Sequence, residues 1–237
     1  MNFRNTLKLP YYFIKNLQYN RQTDKVMKTV LKPESNCIDI GCHKGKILDR
    51  ILALSPAGHH WAFEPLPDLY QYLQEKYKDK QVMVSPFALS NTEGEAGFKY
   101  VKNSPGYSGF RKRVYHIPFP DIEEITVAKT KLDNVVPADL HIDLIKLDVE
   151  GAELEVLQGA EQTIKRNKPV IIFEHGKGAA PFYDTKPGNV FDLLTANGMQ
   201  VHTMKNWLNK KTALSKEAFI SQFQNETNYY FIATGFP

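Results

Sequence analysis

Apolar residues in this chain gather in short dense clusters, most of them ending in an acid or a hydroxyl, with helix-like stretches between them. Asn36-Cys-Ile-Asp-Ile40 predicts a strand, 45–54 a helix, and 60–64 a second strand that ends in Glu64. A helix starting near Pro67 carries Leu69, Leu73 and Tyr77 on one side, and Gln81-Val-Met-Val84 reads as a third strand. The rhythm then breaks over 91–137. Glu95–Val101 alternates like a strand, 103–109 is rich in Gly, Pro and Ser, and Glu124–Ala128 reads as another strand. Residues 142–148 resume the alternation as a fourth core strand. A helix over about 151–166 buries Leu154, Leu157, Ala160 and Ile164, and 168–174 forms a fifth strand. A helix containing 191–194 stops at Asn197-Gly198, and 198–203 with 228–233 predicts a closing antiparallel pair. Alternating strands and helices of these lengths predict a doubly wound, Rossmann-like α/β sheet, mostly parallel, with a β insertion before the fourth core strand. Residues 1–32, basic and aromatic, predict one or two short helices split by Pro10 that cap a single domain spanning 33–237.

The loop after the first strand is informative about the ligand. The dinucleotide fingerprint G-x-G-x-x-G needs its middle glycine for backbone to approach a pyrophosphate. Here Gly41 is followed by Cys42-His-Lys-Gly45, which is G-x-x-x-G. A nucleoside without phosphates suits that loop better, and S-adenosylmethionine is the common one. In this reading Gly41 and Gly45 shape the turn, Asp39 faces the methionine ammonium group, and Glu64 accepts hydrogen bonds from the ribose. A plain tight turn with Asp39 as a cap is the alternative, and Glu64 at the end of the next strand weighs against it.

Composition adds limits. The chain has 237 residues and a formal net charge of +4, with Arg111-Lys-Arg113 as its densest basic run. That is too little for an extended nucleic-acid face. The two cysteines, Cys37 and Cys42, cannot form a four-ligand zinc site, and a bridge between them would distort the loop. Reduced buried thiols point to a cytoplasmic protein. Neither a secretory signal nor an uninterrupted apolar run of about 18 residues is present.

Ligands of open α/β sheets bind at the carboxyl ends of the strands. That edge collects Asp39, Glu64, Ser85, Asp148, Glu150, Glu174 and His175. Ile145-Lys-Leu-Asp-Val-Glu-Gly-Ala-Glu153 resembles the most distinctive motif of the FkbM family of S-adenosylmethionine-dependent methyltransferases. Ile38-Asp-Ile-Gly41, Ala62-Phe-Glu-Pro65, Phe87-Ala-Leu-Ser90, Lys131-Leu-Asp133, Leu157-Gln-Gly159 and Lys168–Glu174 resemble further family elements in the same order, covering about residues 36–175. One departure is Cys42-His43, where the family usually carries Ala-Asn.

The resemblance implies a class I methyltransferase sheet and S-adenosylmethionine bound by Asp39, Gly41, Gly45, Glu64, Pro65, Phe87, Ala88 and Asp148. It also implies methyl transfer to a hydroxyl of a sugar, glycolipid or other secondary metabolite. An alcohol needs a base at neutral pH, and His175, Glu174 and Asp148 are the candidates, with His43 behind them. The same three could instead hold a divalent cation. Other classes stay open: an RNA methyltransferase using Arg111, Lys112 and Arg113 with nearby aromatics, a non-catalytic binding module, and, disfavoured by the loop, an NAD-dependent oxidoreductase.

Overall fold

The structure, a computed structural model, describes residues 9–115 and 117–236. Seven strands form the main sheet in the order β3-β2-β1-β7-β8-β10-β9. They are β1 (Cys37–Ile40), β2 (His60–Phe63), β3 (Val82–Ser85), β7 (Leu144–Leu147), β8 (Val170–Glu174), β9 (Met199–Thr203) and β10 (Tyr230–Gly235). All neighbouring pairs are parallel except those of β10, which runs antiparallel to both β8 and β9. The expected closing pair therefore exists, with β10 inserted beside β8 and β9 at the edge.

Every residue of β1, β2 and β7 is buried. Such strands read as short apolar runs because helices cover both faces of a parallel sheet. On one face, Ile38, Ile145, Ile171 and Phe231 pack against α4 (Glu153–Gln158), α5 (Glu161–Asn167), α6 (Pro187–Ala196) and α8 (Lys216–Gln224). On the other, Cys37, Leu144, Ile172 and Ile232 meet α1 (Leu9–Val30), α2 (Lys46–Leu54) and α7 (Met204–Leu208). Helix α3 (Pro67–Tyr77) covers β2 and β3 through Leu73 and Tyr77.

Three features differ from the sequence expectation. Within the described residues, the N-terminal segment is one helix of 22 residues, longer than the short helices expected. Pro10 falls in its first turn, where a missing N–H costs little, so the helix continues past it. Residues 1–8 of the expected cap lie outside the described residues.

The helix expected over 151–166 is two helices. A Cβ on Gly159 would come within 2.1 Å of the Ser90 carbonyl oxygen, so the chain passes close to the insertion there and the helix restarts. Asp133 makes the restart possible. Its carboxylate accepts the N–H groups of Gln162 and Thr163, both at 2.9 Å, and the Thr163 hydroxyl at 2.7 Å. Helices α7 and α8, between the last two strands, were not anticipated.

The insertion forms a second sheet. β5 (Gly94–Val101) and β6 (Ile122–Thr130) make an antiparallel hairpin, and β4 (Ala88–Leu89) runs parallel to β6. The loop between β5 and β6 folds back so that Lys99 and Gly109 exchange backbone hydrogen bonds. That return places Pro105, Gly106, Ser108 and Phe110 against the main sheet's carboxyl edge.

Asp133→Ala removes the carboxylate that caps α5 from outside the helix. Urea unfolding should show a loss of about 1–2 kcal/mol, the worth of an N-cap.

Candidate active site

The loops after β1 and β7 meet at the sheet's switch point, because these strands are neighbours. The Asp148 N–H bonds to the Ile40 carbonyl at 3.1 Å, and the Gly41 N–H to the Phe63 carbonyl at 3.0 Å. Gly41 has φ +74°, and a Cβ there would lie 1.9 Å from the Asp148 carbonyl oxygen. Glycine is required at this point by protein backbone, before any ligand is considered.

A cavity of about 270 Å³ opens at this junction. Its floor comes from Ile40, Gly41, Phe63, Glu64, Asp148 and Val149, its side from Pro65, Leu66, Phe87 and Ala88, and its far wall from the insertion. Phe98 and Phe110 stack edge to face at 5.2 Å in that wall. The lining is mostly apolar with a few polar groups, which is how small-molecule sites are built.

The insertion is fastened over the cavity by side chains. The Tyr100 hydroxyl donates to Asp68 on α3 at 2.5 Å. Arg113 pairs with Glu150 in the loop after β7, donates to the Gly178 carbonyl at 3.3 Å, and lies over the Tyr107 ring at 4.9 Å.

Of the residues anticipated for a cofactor, Gly41, Glu64, Pro65, Phe87, Ala88 and Asp148 line the cavity together. Asp39 and Gly45 lie outside its lining. Gly45 sits at φ +74° at the start of α2, where a Cβ would approach the Tyr77 hydroxyl to 2.2 Å, so its glycine serves helix packing. Asp39 is buried beneath the loop, and its Oδ2 has no hydrogen-bond partner among the described residues.

Burial, partly offset by the Lys146 charge, pushes the Asp39 carboxyl up to about 7. Burial raises Glu64 to about 7 as well, although its oxygens accept the His43 N–H at 2.8 Å and the Leu66 N–H at 3.1 Å. One lone pair on each Glu64 oxygen remains for a ligand donor.

The pleat divides the anticipated catalytic residues. Asp148, just past β7, and Glu174, the last residue of β8, follow the positions that face the α1 side of the sheet. His175, one residue beyond Glu174, points to the opposite side and is 0% exposed. Its ring stacks with Phe219 at 6.0 Å and contacts Phe223 at 5.0 Å, and neither ring nitrogen has a hydrogen-bond partner among the described residues. His175 is therefore not brought to the cavity, and Glu174 does not line it either. The same alternation sets His175 apart from Asp148 and Glu174, and no group of three or more His, Cys, Asp and Glu that could hold a metal occurs among the described residues.

Asp148 instead belongs to a half-buried polar group absent from the sequence reading. Lys146, two residues earlier on the same face, reaches its Oδ2 at 3.1 Å, and the Tyr230 hydroxyl from β10 donates to the same oxygen. Burial alone would raise the Asp148 carboxyl, but Lys146 and Tyr230 outweigh it and hold the group below the usual carboxylate range. Glu174 is pushed well up by burial and by Asp148, Glu150 and Glu153.

Two further cavity residues have left-handed backbones, His43 (φ 51°) and Glu150 (φ 57°). Burial lowers the His43 pKa below its usual value. Burial also raises Glu150, which the paired Arg113 opposes and Asp148 and Glu153 support, to about 8. Alternation along one strand would have found Lys146. Tyr230 and Arg113 are distant in sequence and carried no such signal.

Residues 39–201 match the methyltransferase FkbM domain. The chain belongs to that family. The FkbM methyltransferase of Methylobacillus flagellatus shares the fold, with a TM-score of 0.53 at 16% identity over 86% of this chain and 44% of that one. The 2-O-methyltransferase NoeI of Sinorhizobium fredii is 29% identical over 65% of this chain and 67% of its own length. The antimetabolite synthetase AmbE of Pseudomonas aeruginosa is 27% identical over 73% of this chain, which spans 10% of that large protein. This methyltransferase thus has the class I sheet, and its cavity lies at the edge where that fold takes ligands. No helix among the described residues is long and apolar enough to cross a membrane.

The two raised carboxyls make a pH prediction. Asp39 and Glu64 keep protons in the folded protein between about pH 4 and 7, where the unfolded chain has released them. Their contribution to stability is full below their unfolded values and is lost as pH rises through about 7. Without ligand, Glu64→Gln should therefore lose less stability than the parent between about pH 5 and 8, by on the order of 1–3 kcal/mol in urea unfolding. Parallel pH curves would show that Glu64 keeps an ordinary carboxyl.

Proposed function

We propose that this methyltransferase uses S-adenosylmethionine to methylate a hydroxyl oxygen on a sugar, glycolipid or other small secondary metabolite. The observation that carries the reading is the cavity at the β1–β7 switch point, where Gly41, Glu64, Phe87 and Asp148 converge beneath an aromatic wall. The match of residues 39–201 to the FkbM domain and the partial likeness to a 2-O-methyltransferase support it.

The residues present suit the cofactor. Glu64 keeps one acceptor site on each oxygen for a ribose diol, and Phe63, Pro65, Leu66, Phe87 and Ala88 offer apolar surface for a base. Asp39, buried with an unpartnered oxygen, offers a carboxyl behind the glycine loop that a cationic amino acid end would favour in its ionised form. When bound, the cofactor supplies an electrophilic methyl group.

The protein's own part is to align, to exclude water and to take a proton. Phe98, Pro105 and Phe110 of the insertion wall one side of the cavity, and excluding water there strengthens the charge interactions inside. Glu150 lines the cavity, and its carboxyl at about 8 suits proton transfer near neutral pH. We assign it as the acceptor of the substrate proton, steadied by Arg113. Asp148, held ionised by Lys146 and Tyr230, orients the hydroxyl by accepting its hydrogen bond before transfer.

Two outcomes test this. Calorimetry at pH 6.5 in buffers of different ionisation enthalpy should show proton release on binding S-adenosylmethionine, because its donors favour the ionised forms of Glu64 and Asp39. Glu64→Gln should weaken affinity about ten-fold and reduce the release. An unchanged affinity places the cofactor elsewhere.

Once an acceptor is found by a labelled-methyl screen, Glu150→Gln should lower turnover about a hundred-fold with cofactor affinity kept. His175→Phe should leave turnover within a few-fold. The reverse pattern returns the base to His175.

A further inference from the structure

Helix α1 carries a second surface that the methyl-transfer site does not use. Its buried side, Tyr19, Thr23, Val26 and Met27, packs on the sheet. Its outer side shows Ile14 (64% exposed) and Leu17 (43% exposed), then the exposed Arg21, Lys25 and Lys28. These five positions are spaced by three or four residues, so they lie on one face along about 21 Å of helix. Lys205 of α7 borders the same open groove of about 700 Å³.

None of the four cations has an ion-pair partner among the described residues. The single acid within residues 14–30, Asp24, is taken by Arg50 at 2.7 Å. The face is therefore cationic along its length and apolar at one end.

We propose that this face docks the protein on a bilayer of anionic lipid. Charge complementarity supplies the attraction: unpaired basic residues in a row are drawn to an anionic leaflet within a Debye length. The two exposed aliphatic residues decide between polyanions. Ile14 and Leu17 have a place in the interfacial layer of a membrane, as in surface-lying amphipathic helices, and none on a phosphate backbone.

The orientation is also informative. The apolar end of the face adjoins the sheet's carboxyl edge. Lys15 donates to the Thr227 carbonyl at 2.6 Å, and Tyr229 donates to Asn16 at 2.7 Å. The next residue, Tyr230, reaches Asp148 at the cavity. A membrane on the α1 face would thus lie beside the cavity. Docking itself does not depend on the nature of the acceptor.

The test is co-sedimentation of the full chain with vesicles of phosphatidylcholine alone and with about one third phosphatidylserine. Binding is expected only to the anionic vesicles, and it should weaken strongly between about 0.1 M and 0.5 M salt. The combined variant Arg21→Gln, Lys25→Gln, Lys28→Gln, Lys205→Gln should bind them about ten-fold or more weakly. Ile14→Ser with Leu17→Ser should weaken binding by a smaller factor that changes little with salt. All six positions are on the surface, so both variants should melt like the parent, which circular dichroism checks. Failure of the parent to bind anionic vesicles, or equal binding by the parent and both variants, overturns the proposal. So does binding to single-stranded RNA that the four-cation variant loses while vesicles are ignored.

Discussion

The site depends on one close approach. The loop after β1 passes so near the loop after β7 that a single Cβ at position 41 would enter the Asp148 carbonyl. The contact exists because β1 and β7 are hydrogen-bonded neighbours although they lie far apart in sequence. It sets where the Asp148 side chain begins, and so where Lys146 and Tyr230 must be to meet it. It also sets the depth of the cavity floor, since Gly41, Asp148 and Val149 are part of that floor. A turn with any side chain at position 41 would push the two loops apart and carry Asp148 away from Ile40.

The two-residue pleat then sorts the chemistry. Asp39 and Lys146 are paired in register, and Tyr230 is paired with Glu174. These four and Asp148 lie on the α1 side, where one lysine is shared by two carboxylates. His175 follows Glu174 directly and lands on the other side among phenylalanines. Adjacent residues at a strand end are chemically far apart. Residues two apart, or on neighbouring strands, are close. A list of polar residues at the sheet's edge cannot show this, which explains how a histidine suited to proton transfer was placed at a site it does not reach.

Local pattern made the framework legible. Buried parallel strands announce themselves as short apolar runs, and Gly41 and the Glu64 that ends the second strand do line one cavity. The insertion's strands showed in the alternation of 95–101 and 124–128, close to the observed β5 and β6. Contacts between distant segments were not legible. Arg113 belongs to the densest basic run of the sequence, yet its side chain is only 6% exposed and paired with Glu150. The break in the helix at Gly159 depends on Ser90 and Asp133, both from other parts of the chain.

The energetics of the cavity run against stability, and that is informative. Asp39, Glu64, Glu150 and Glu174 are all raised by burial, and they crowd one end of the sheet. A protein selected only for folding would replace several of them, since an unpaired buried carboxylate costs more than an apolar residue of similar size. Their partners among the described residues are few: Lys146 lies near both Asp39 and Asp148, and Arg113 pairs with Glu150. Of the four, Glu64 and Glu150 line the cavity, where positive charge and hydrogen-bond donors from a ligand would offset them. A ligand with a cationic amino acid end and a ribose diol carries both. The raised carboxyls at this edge thus fit the cofactor proposed above on grounds independent of the glycine loop.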